Sequence, residues 1–195
     1  MTVDKDDILA QVRAFAEKAH QGQMRKYADE PYIAHLDRVM AVVREYAQDV
    51  AMLSAALLHD TLEDTHVTEE ELRAFLEKVM EPSQAARTFD LVVALTDVFI
   101  KEDYPLLNRR ARRTREAERL SDVTPDAQTI KYSDVIDNAT DIVKHDTDFA
   151  LVYLRESKQL LQGMTRGNPL LYERAVRTVD ECLREFWEKA NIRAL

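Results

Sequence analysis

Apolar residues recur every three or four positions along most of the chain, which is the spacing of helices that bury one face. The first such stretch carries Ile8 and Val12, and the second carries Leu36 and Val39. Residues 50–58 are apolar on almost every side, which predicts a helix that is buried all round. Extended along the chain, the pattern predicts helices at about residues 8–19, 33–46, 50–59, 68–79, 82–95, 108–120, 125–143, 147–163 and 169–190.

Residues that favour turns are few, and they lie between the predicted helices. The 195 residues include 3 glycines and 5 prolines, whereas a sheet needs many turns and turns favour these two residues. Thr68-Glu69-Glu70-Glu71 has the pattern of a capping box, which begins a helix. Gly167-Asn168-Pro169 separates the last two helices. We therefore expect an all-α fold, a compact multi-helix bundle in which residues 1–195 form a single domain.

The composition restricts the partners and the location of the protein. Hydrophobic residues make up 46% of the chain and the formal net charge is -9, so a core can form and nucleic-acid backbones are repelled. The apolar run at 50–58 is too short to span a bilayer, and the N-terminus has no apolar signal core. The one cysteine, Cys182, indicates a reducing compartment. We expect a cytoplasmic protein that binds neither membrane nor nucleic acid, in an oligomeric state that the sequence leaves open.

Polar residues crowd the end of the most apolar predicted helix, in the segment His59-Asp60-Thr61-Leu62-Glu63-Asp64. Burying polar groups costs free energy unless they are used. In a helix Glu63 shares a face with His59, and Asp64 shares a face with Asp60. A solvated helix end is the simpler alternative for Glu63 and Asp64 alone, but the two adjacent stripes favour a site that binds a metal or transfers protons.

Two further candidate ligands come from other parts of the chain. His35 begins the second predicted helix, and Asp134 lies in the middle of a later one, although Asp disfavours helix interiors. With His59 and Asp60 they form a mixed nitrogen and oxygen set, which suits Mn²⁺, Fe²⁺ or Zn²⁺. A lone histidine in a helical protein more often packs or lies on the surface. That interpretation is kept for His20, His66 and His145.

The order His…His-Asp…Asp resembles the signature of the HD phosphohydrolase superfamily. More closely, the chain resembles the hydrolase domain of RelA/SpoT-type alarmone enzymes and the stand-alone small alarmone hydrolases. The resemblance covers about residues 7–145 and leaves 146–195 as packing helices. The segments that carry it are Ala19-His20-Gln21-Gly22-Gln23-Met24-Arg25-Lys26, Pro31-Tyr32-Ile33-Ala34-His35, Leu57-Leu58-His59-Asp60-Thr61-Leu62-Glu63-Asp64-Thr65, and Lys131 with Asp134 and Asn138.

This resemblance implies an HD-domain fold with a divalent metal, usually Mn²⁺. The metal would polarise a pyrophosphate oxygen and lower the pKa of a bound water. Glu63 and Asp64 match the acidic pair that orients or deprotonates the attacking water in the family. The residues that match the family's metal ligands are His35, His59, Asp60 and Asp134.

On the substrate side, the resemblance implies a purine nucleotide. Arg25 matches a residue that stacks its planar cation on the purine ring, and Lys26 would line the nucleotide pocket. Asn138 matches a residue that contacts the nucleoside. The chain departs from the family pattern on the nucleoside side at Tyr132, Asp137 and Thr140.

The leading hypothesis is a metal-dependent hydrolase that removes the 3′-pyrophosphate of guanosine tetra- or pentaphosphate, (p)ppGpp, with no room for a synthetase domain. The same site could instead act on adenosine alarmones, on the 2′-phosphate of NADPH or on other nucleoside phosphates. A third hypothesis is a module that binds nucleotide without turnover. The acidic pair argues against that last alternative, because a sensor needs no water activator.

Several residues have a packing or surface interpretation beside a functional one. The arginines between Arg109 and Arg115 are expected to form a solvated basic face, and receiving the 5′-phosphates of the nucleotide is an equal alternative. Phe186 and Trp187 are expected in the core of the C-terminal helices, and Tyr32 and Tyr132 either line the pocket or pack.

Overall fold

The computed structural model describes residues 4–26, 28–145 and 147–193, and in these residues the regular structure is helical, with no strand. One isolated antiparallel bridge joins Met24 to Pro31. The all-α prediction is confirmed, and each predicted helix lies close to its expected bounds. The helices are α1 (Lys5–Ala19), α2 (Ile33–Tyr46), α3 (Val50–Leu58), α4 (Thr61–Asp64), α5 (Glu69–Val79), α6 (Pro82–Leu95), α7 (Arg109–Asp122), α8 (Pro125–His145), α9 (Thr147–Gly163) and α10 (Pro169–Arg193).

The chain divides into two compact units. The first consists of Met1–Arg25 with Asp29–Asp97, and the second of Lys26–Ala28 with Val98–Leu195. The expectation of a single domain over residues 1–195 stays a prediction. Each unit has its own buried helix. Predicted site residues His59 and Asp60 directly follow that of the first unit, and Asp134 and Asn138 lie on that of the second.

In the first unit the buried helix is α3. Its residues Ala51–Leu58 are all buried, and it packs against α1, α2 and α6. The side chain of Asp49 accepts a hydrogen bond of 3.0 Å from the amide of Met52 and so caps the first turn. Asp49 also pairs with Arg87 of α6 at 2.7 Å. The polar cluster after α3 is therefore held by a helix that is fixed at its start and along its sides.

In the second unit the most buried helix is α8, which packs against α9 and α10. Tyr132 is completely buried on α8, and its hydroxyl donates a 2.6 Å hydrogen bond to the carbonyl of Met164. The amide of Gly167 donates to the same hydroxyl at 3.2 Å. Of the two alternatives for Tyr132, the packing one is therefore correct, and this departure from the family pattern ties α8 to the segment between α9 and α10.

The C-terminal helix α10 differs from expectation at one residue. Cys182 is buried with 7% of its surface exposed, but Trp187 is 47% exposed, so the prediction that Trp187 belongs to the core is wrong. Leu170, near the start of the same helix, is 64% exposed.

In the described part of the chain, no helix is both long enough and apolar enough to cross a membrane. The cytoplasmic location stays a prediction.

Gly167→Ala is expected to destabilise the second unit. A Cβ at Gly167 would lie 2.5 Å from Cε2 of Tyr132 and 2.9 Å from Oγ1 of Thr129, so buried atoms must move. We expect a loss of about 1–3 kcal/mol in the free energy of unfolding, measured as a lower urea midpoint with an unchanged slope.

Gly163→Ala is the matched control for this prediction. Its nearest new contact is Cβ of Ser121 at 3.3 Å, and alanine favours the helix, so we expect a change below about 1 kcal/mol. A Gly167→Ala variant as stable as the wild type would contradict the close approach to Tyr132.

Candidate metal centre

Two histidines from neighbouring helices meet in the interior of the first unit. His35 lies in the first turn of α2, where its amide donates to the carbonyl of Tyr32 at 3.0 Å. His59 directly follows α3 and forms its C-cap. Both are buried, with 0% and 2% of their surfaces exposed. Their ring centroids are 5.3 Å apart at an interplanar angle of 61°, so the edges of the two imidazoles face one region.

A hydrogen bond determines which nitrogen of His59 is available. Nδ1 lies 2.9 Å from the carbonyl oxygen of Ala56, which can only accept, so Nδ1 carries the proton in the neutral ring. The lone pair of Nε2 then points toward Asp60, whose Oδ2 is 3.1 Å away. Nε2 of His35 lies 3.5 Å from the same Oδ2 atom.

These three atoms fit a divalent metal. Two imidazole nitrogens and one carboxylate oxygen converge at 3.1 Å and 3.5 Å, and an imidazole lone pair opposite a carboxylate is repulsive unless a cation or a proton lies between them. Nitrogen and oxygen donors of this kind suit Mn²⁺, Fe²⁺ and Zn²⁺. The bond from His59 to Ala56 is the outer contact that orients a metal-binding histidine.

Tyr32 connects two of the acidic residues in this unit. Its hydroxyl is 2.7 Å from Oδ2 of Asp60 and 2.8 Å from Oδ2 of Asp64. Burial and the charges of both carboxylates raise the pKa of Tyr32 far above its usual value, so the hydroxyl keeps its proton and donates. Desolvation and the charge of Asp60 raise the pKa of Asp64. Tyr32, left between two interpretations by the sequence, therefore belongs to this cluster.

The aromatic ring of Tyr32 contacts the side chains of His20 and Arg25. His20 stacks on it with a centroid distance of 4.7 Å and an angle of 8°, and the guanidinium of Arg25 lies 5.7 Å from its centroid. His20 is 4% exposed and its Nδ1 contacts Gln23 at 2.7 Å. His20 is therefore a buried packing residue, and it supports the cluster through Tyr32.

The loop that carries Arg25 is closed by backbone hydrogen bonds. The amide of Arg25 donates to Glu30 at 2.9 Å, and the amide of Tyr32 donates to Gln23 at 3.0 Å. The carboxylate of Glu30 also accepts two bonds from the guanidinium of Arg38, at 3.0 Å and 2.7 Å. These contacts hold Arg25 beside Tyr32 and therefore beside the cluster.

The predicted catalytic pair is divided by the structure. Asp64 contacts Tyr32 and so belongs to the histidine cluster. The Oε2 atom of Glu63 instead accepts a 3.2 Å hydrogen bond from the amide of Asp97, just after α6. Both side chains are exposed. The helical spacing from Asp60 to Asp64 is preserved, because the amide of Asp64 donates to the carbonyl of Asp60 at 2.8 Å.

The remaining predicted residues lie in the second unit. Asp134 is 5% exposed on α8. Its Oδ2 pairs with Nζ of Lys131 at 2.8 Å, and its Oδ1 accepts a 2.6 Å hydrogen bond from the amide of Asn138. Burial and the charge of Asp134 raise the pKa of Tyr153. The buried carboxylate is thus compensated by a cation and an amide, and Asn138 has a role in orienting Asp134.

Lys26 and one of the basic-run arginines contact the same aromatic ring in the second unit. Nζ of Lys26 lies 5.6 Å and the guanidinium of Arg109 4.8 Å from the ring centroid of Phe149. Arg109 also makes two hydrogen bonds to Glu156, at 2.9 Å and 2.7 Å. Much of the charge of Arg109 is therefore balanced inside the unit, which weakens the case for it as a phosphate receptor.

Comparison with known proteins agrees with this geometry. The HD domain family matches residues 12–103, a range that includes both histidines and Asp60. Mouse MESH1, named guanosine-3′,5′-bis(diphosphate) 3′-pyrophosphohydrolase, is 31% identical over 192 residues, which cover 94% of this chain and 95% of its own. A solved structure of a metazoan ortholog of SpoT, described as hydrolysing ppGpp, has a TM-score of 0.72 and 25% identity, covering 91% of this chain and 94% of its own.

Longer bacterial relatives share only the first part of the chain. A GTP pyrophosphokinase of Myxococcus xanthus is 46% identical over 66 residues, which cover 34% of this chain and 9% of the relative. The chain thus spans a small part of the length of such relatives. The HD-domain resemblance expected from the sequence is confirmed by these comparisons.

His59→Ala and Asp60→Ala are expected to abolish stoichiometric binding of Mn²⁺. Each removes one of the three converging ligand atoms. Metal content after dialysis, measured by plasma mass spectrometry, checks this. Asp90→Ala, an exposed aspartate on α6, is the matched control and should keep the metal. Full metal content in both site variants would contradict the proposed ligands.

Tyr32→Phe is expected to keep the fold and to weaken metal affinity or turnover by about 10–100-fold, the usual effect of removing an outer-shell hydrogen bond. The aromatic contacts to His20 and His35 remain, while the bonds to Asp60 and Asp64 are lost. Tyr132→Phe is the control, because it loses a buried hydrogen bond to Met164 and should lower stability but not metal affinity. Equal metal affinities and rates in Tyr32→Phe and the wild type would show that the hydroxyl has no positioning role.

Proposed function

Because the chain belongs to the HD-domain family of guanosine-3′,5′-bis(diphosphate) 3′-pyrophosphohydrolases that includes MESH1, we propose that it hydrolyses the 3′-pyrophosphate of (p)ppGpp. The products would be GDP or GTP and pyrophosphate. The observation that carries the proposal is the convergence of Nε2 of His35 and Nε2 of His59 on Oδ2 of Asp60, in a chain related to MESH1 over almost its whole length.

The proposed ligands of the metal are His35, His59, Asp60 and Asp134. The first three are supported by their convergence in one unit, and Asp134 by its match to the family motif and its burial. Mn²⁺ is the metal that the resemblance favours. When bound, the metal would polarise a phosphate oxygen and lower the pKa of a coordinated water.

The acidic pair would supply the proton transfer. In the proposed reaction, the water oxygen bonds to the phosphorus attached to the 3′ oxygen and the bond from that phosphorus to the 3′ oxygen breaks. The 3′ oxygen takes up a proton to become the hydroxyl of GDP or GTP, and the oxygen from water leaves in the pyrophosphate. Asp64 is placed to accept the proton of the water, since it is exposed on the same helical face as Asp60 and is held by Tyr32. Glu63 would orient the water from its position beside the amide of Asp97.

Three residues are proposed to bind the nucleotide. Arg25 would stack on the purine, which is supported by its planar cation and its fixed position over Tyr32. Lys26 would attract the phosphates, and an acidic protein of net charge -9 needs such local cations to bind a polyanion. Asn138 would contact the nucleoside while its amide supports Asp134.

Purified protein with Mn²⁺ is expected to release GDP from ppGpp, measured by anion-exchange chromatography. Asp60→Ala should lower kcat/KM by about a thousandfold or more, because the metal is lost, and chelation of the metal should do the same. Asp90→Ala is again the matched control and should keep the wild-type rate.

A panel containing ppGpp, ppApp and NADPH at equal concentration separates the alternative substrates. Preferred turnover of ppApp or NADPH would overturn the guanosine substrate but keep the metal hydrolase. Nucleotide binding by calorimetry without product from any member of the panel would replace the enzyme with a sensing module.

A further inference from the structure

One side of α10 carries six residues at helical spacing, here called the stripe: Leu170, Glu173, Arg177, Asp180, Arg184 and Trp187. Trp187 lines an open groove on this helix together with the less exposed Val176 and Leu183. Leu170 and Trp187, 17 residues apart on this helix, keep 64% and 47% of their surfaces exposed. The stripe lies entirely in the second unit and includes none of the predicted site residues.

The stripe has the spacing of a helix-pairing seam. Its members follow one another at intervals of three, four, three, four and three residues, which is the spacing of a and d positions in a heptad. Such positions lie on one side of a helix and meet the equivalent positions of a second helix. The stripe consists of Leu170, Glu173, Arg177, Asp180, Arg184 and Trp187.

The order of these residues is complementary to itself when reversed. In an antiparallel pair of identical helices centred between residues 178 and 179, Glu173 faces Arg184 of the second copy, and Arg177 faces its Asp180. Asp180 also pairs with Lys158 of its own chain at 2.7 Å and keeps 45% of its side chain exposed. At each end, Leu170 faces Trp187 of the second copy. Antiparallel pairs place an a position opposite a d position, and each of these three layers follows that rule with two opposite charges or two apolar side chains.

A parallel arrangement lacks this complementarity. In a parallel pair each stripe residue faces its own copy, so Glu173, Arg177 and Arg184 would each oppose a like charge, at a cost in free energy. The flanking positions favour the antiparallel register too, because Val176 then lies near Leu183 of the second copy. Charge complementarity therefore favours a second copy of this chain as the partner, with its α10 antiparallel to the first.

We propose that α10 is a homodimerisation surface, on which a second copy of this chain lies antiparallel through the stripe from Leu170 to Trp187. The contact would span 18 residues, or about 27 Å. Since a stable interface usually buries more than one helix pair provides, we expect a dimer that forms with rising concentration. Its two-fold symmetry follows from the self-complementary order, as in most soluble oligomers.

A charge exchange tests the proposal by sedimentation velocity over a wide range of protein concentration. The wild type should shift from monomer to dimer as the concentration rises. Glu173→Arg places two arginines opposite each other twice per dimer, and should weaken dimerisation by roughly tenfold or more. The double variant E173R/R184E restores opposite charges and should recover the dimer.

The matched control is Glu118→Arg on α7, an exposed glutamate outside the stripe, which should dimerise like the wild type. A wild type that stays monomeric at every concentration overturns the proposal and leaves the stripe to a different partner. A dimer that persists in E173R, or that is not recovered in the double variant, shows that another surface pairs. Far-UV circular dichroism verifies that each variant is folded.

Disulfide trapping tests the antiparallel register separately. In the proposed dimer the double variant L170C/W187C should form two intermolecular disulfides under mild oxidation, because each new cysteine faces the other residue type. Neither single variant should crosslink, since equal positions then lie about 25 Å apart and a disulfide needs Cα atoms within about 7 Å. Crosslinking of L170C alone would overturn the antiparallel register.

Discussion

The structure of the first unit depends on the meeting of two imidazole nitrogens with one carboxylate oxygen. Nε2 of His35 and Nε2 of His59 both face Oδ2 of Asp60, and both histidines are buried. Such a group is stable only with a positive charge among its atoms. The two helices beside this group are held by other contacts. Helix α3 is buried on all sides, and α2 begins directly after Tyr32, whose hydroxyl contacts Asp60.

The second unit contains a buried carboxylate that is stabilised from its own helix. Asp134 is a buried carboxylate on α8, and Lys131 and Asn138 satisfy its two oxygens from the same helix. The side chains at i, i+3 and i+4 of one helix face make this possible. The family motif assigns Asn138 to the nucleoside. Its side-chain hydrogen bond to Asp134 means that a change at either residue affects the other.

The positions of most helices could be predicted from the sequence, because apolar periodicity and capping residues indicate where a helix lies and where it begins. The candidate metal ligands could also be predicted, since adjacent His59 and Asp60 at the end of an apolar helix have no simple packing use. Contacts between segments that are distant in the sequence could not be predicted in this way. The hydrogen bond from Tyr32 to Asp60 depends on how distant segments pack. The position of Trp187 in the helical repeat is the same whether that face of the helix contacts a core or solvent. Helical periodicity identifies a face and leaves open what covers it.

The bridge between Met24 and Pro31 has a consequence for how the site can change over evolutionary time. It closes a short loop at its base, so that substitutions within the loop leave the entry into α2, and with it His35, in place. Arg25 lies at one edge of that loop, and the two proposed metal ligands His35 and His59 lie outside it. Under the proposed function, recognition of the base and the hydrolytic chemistry are therefore encoded in separate segments of the sequence. A lineage could acquire a different nucleotide preference by altering the loop while it retains its catalytic centre.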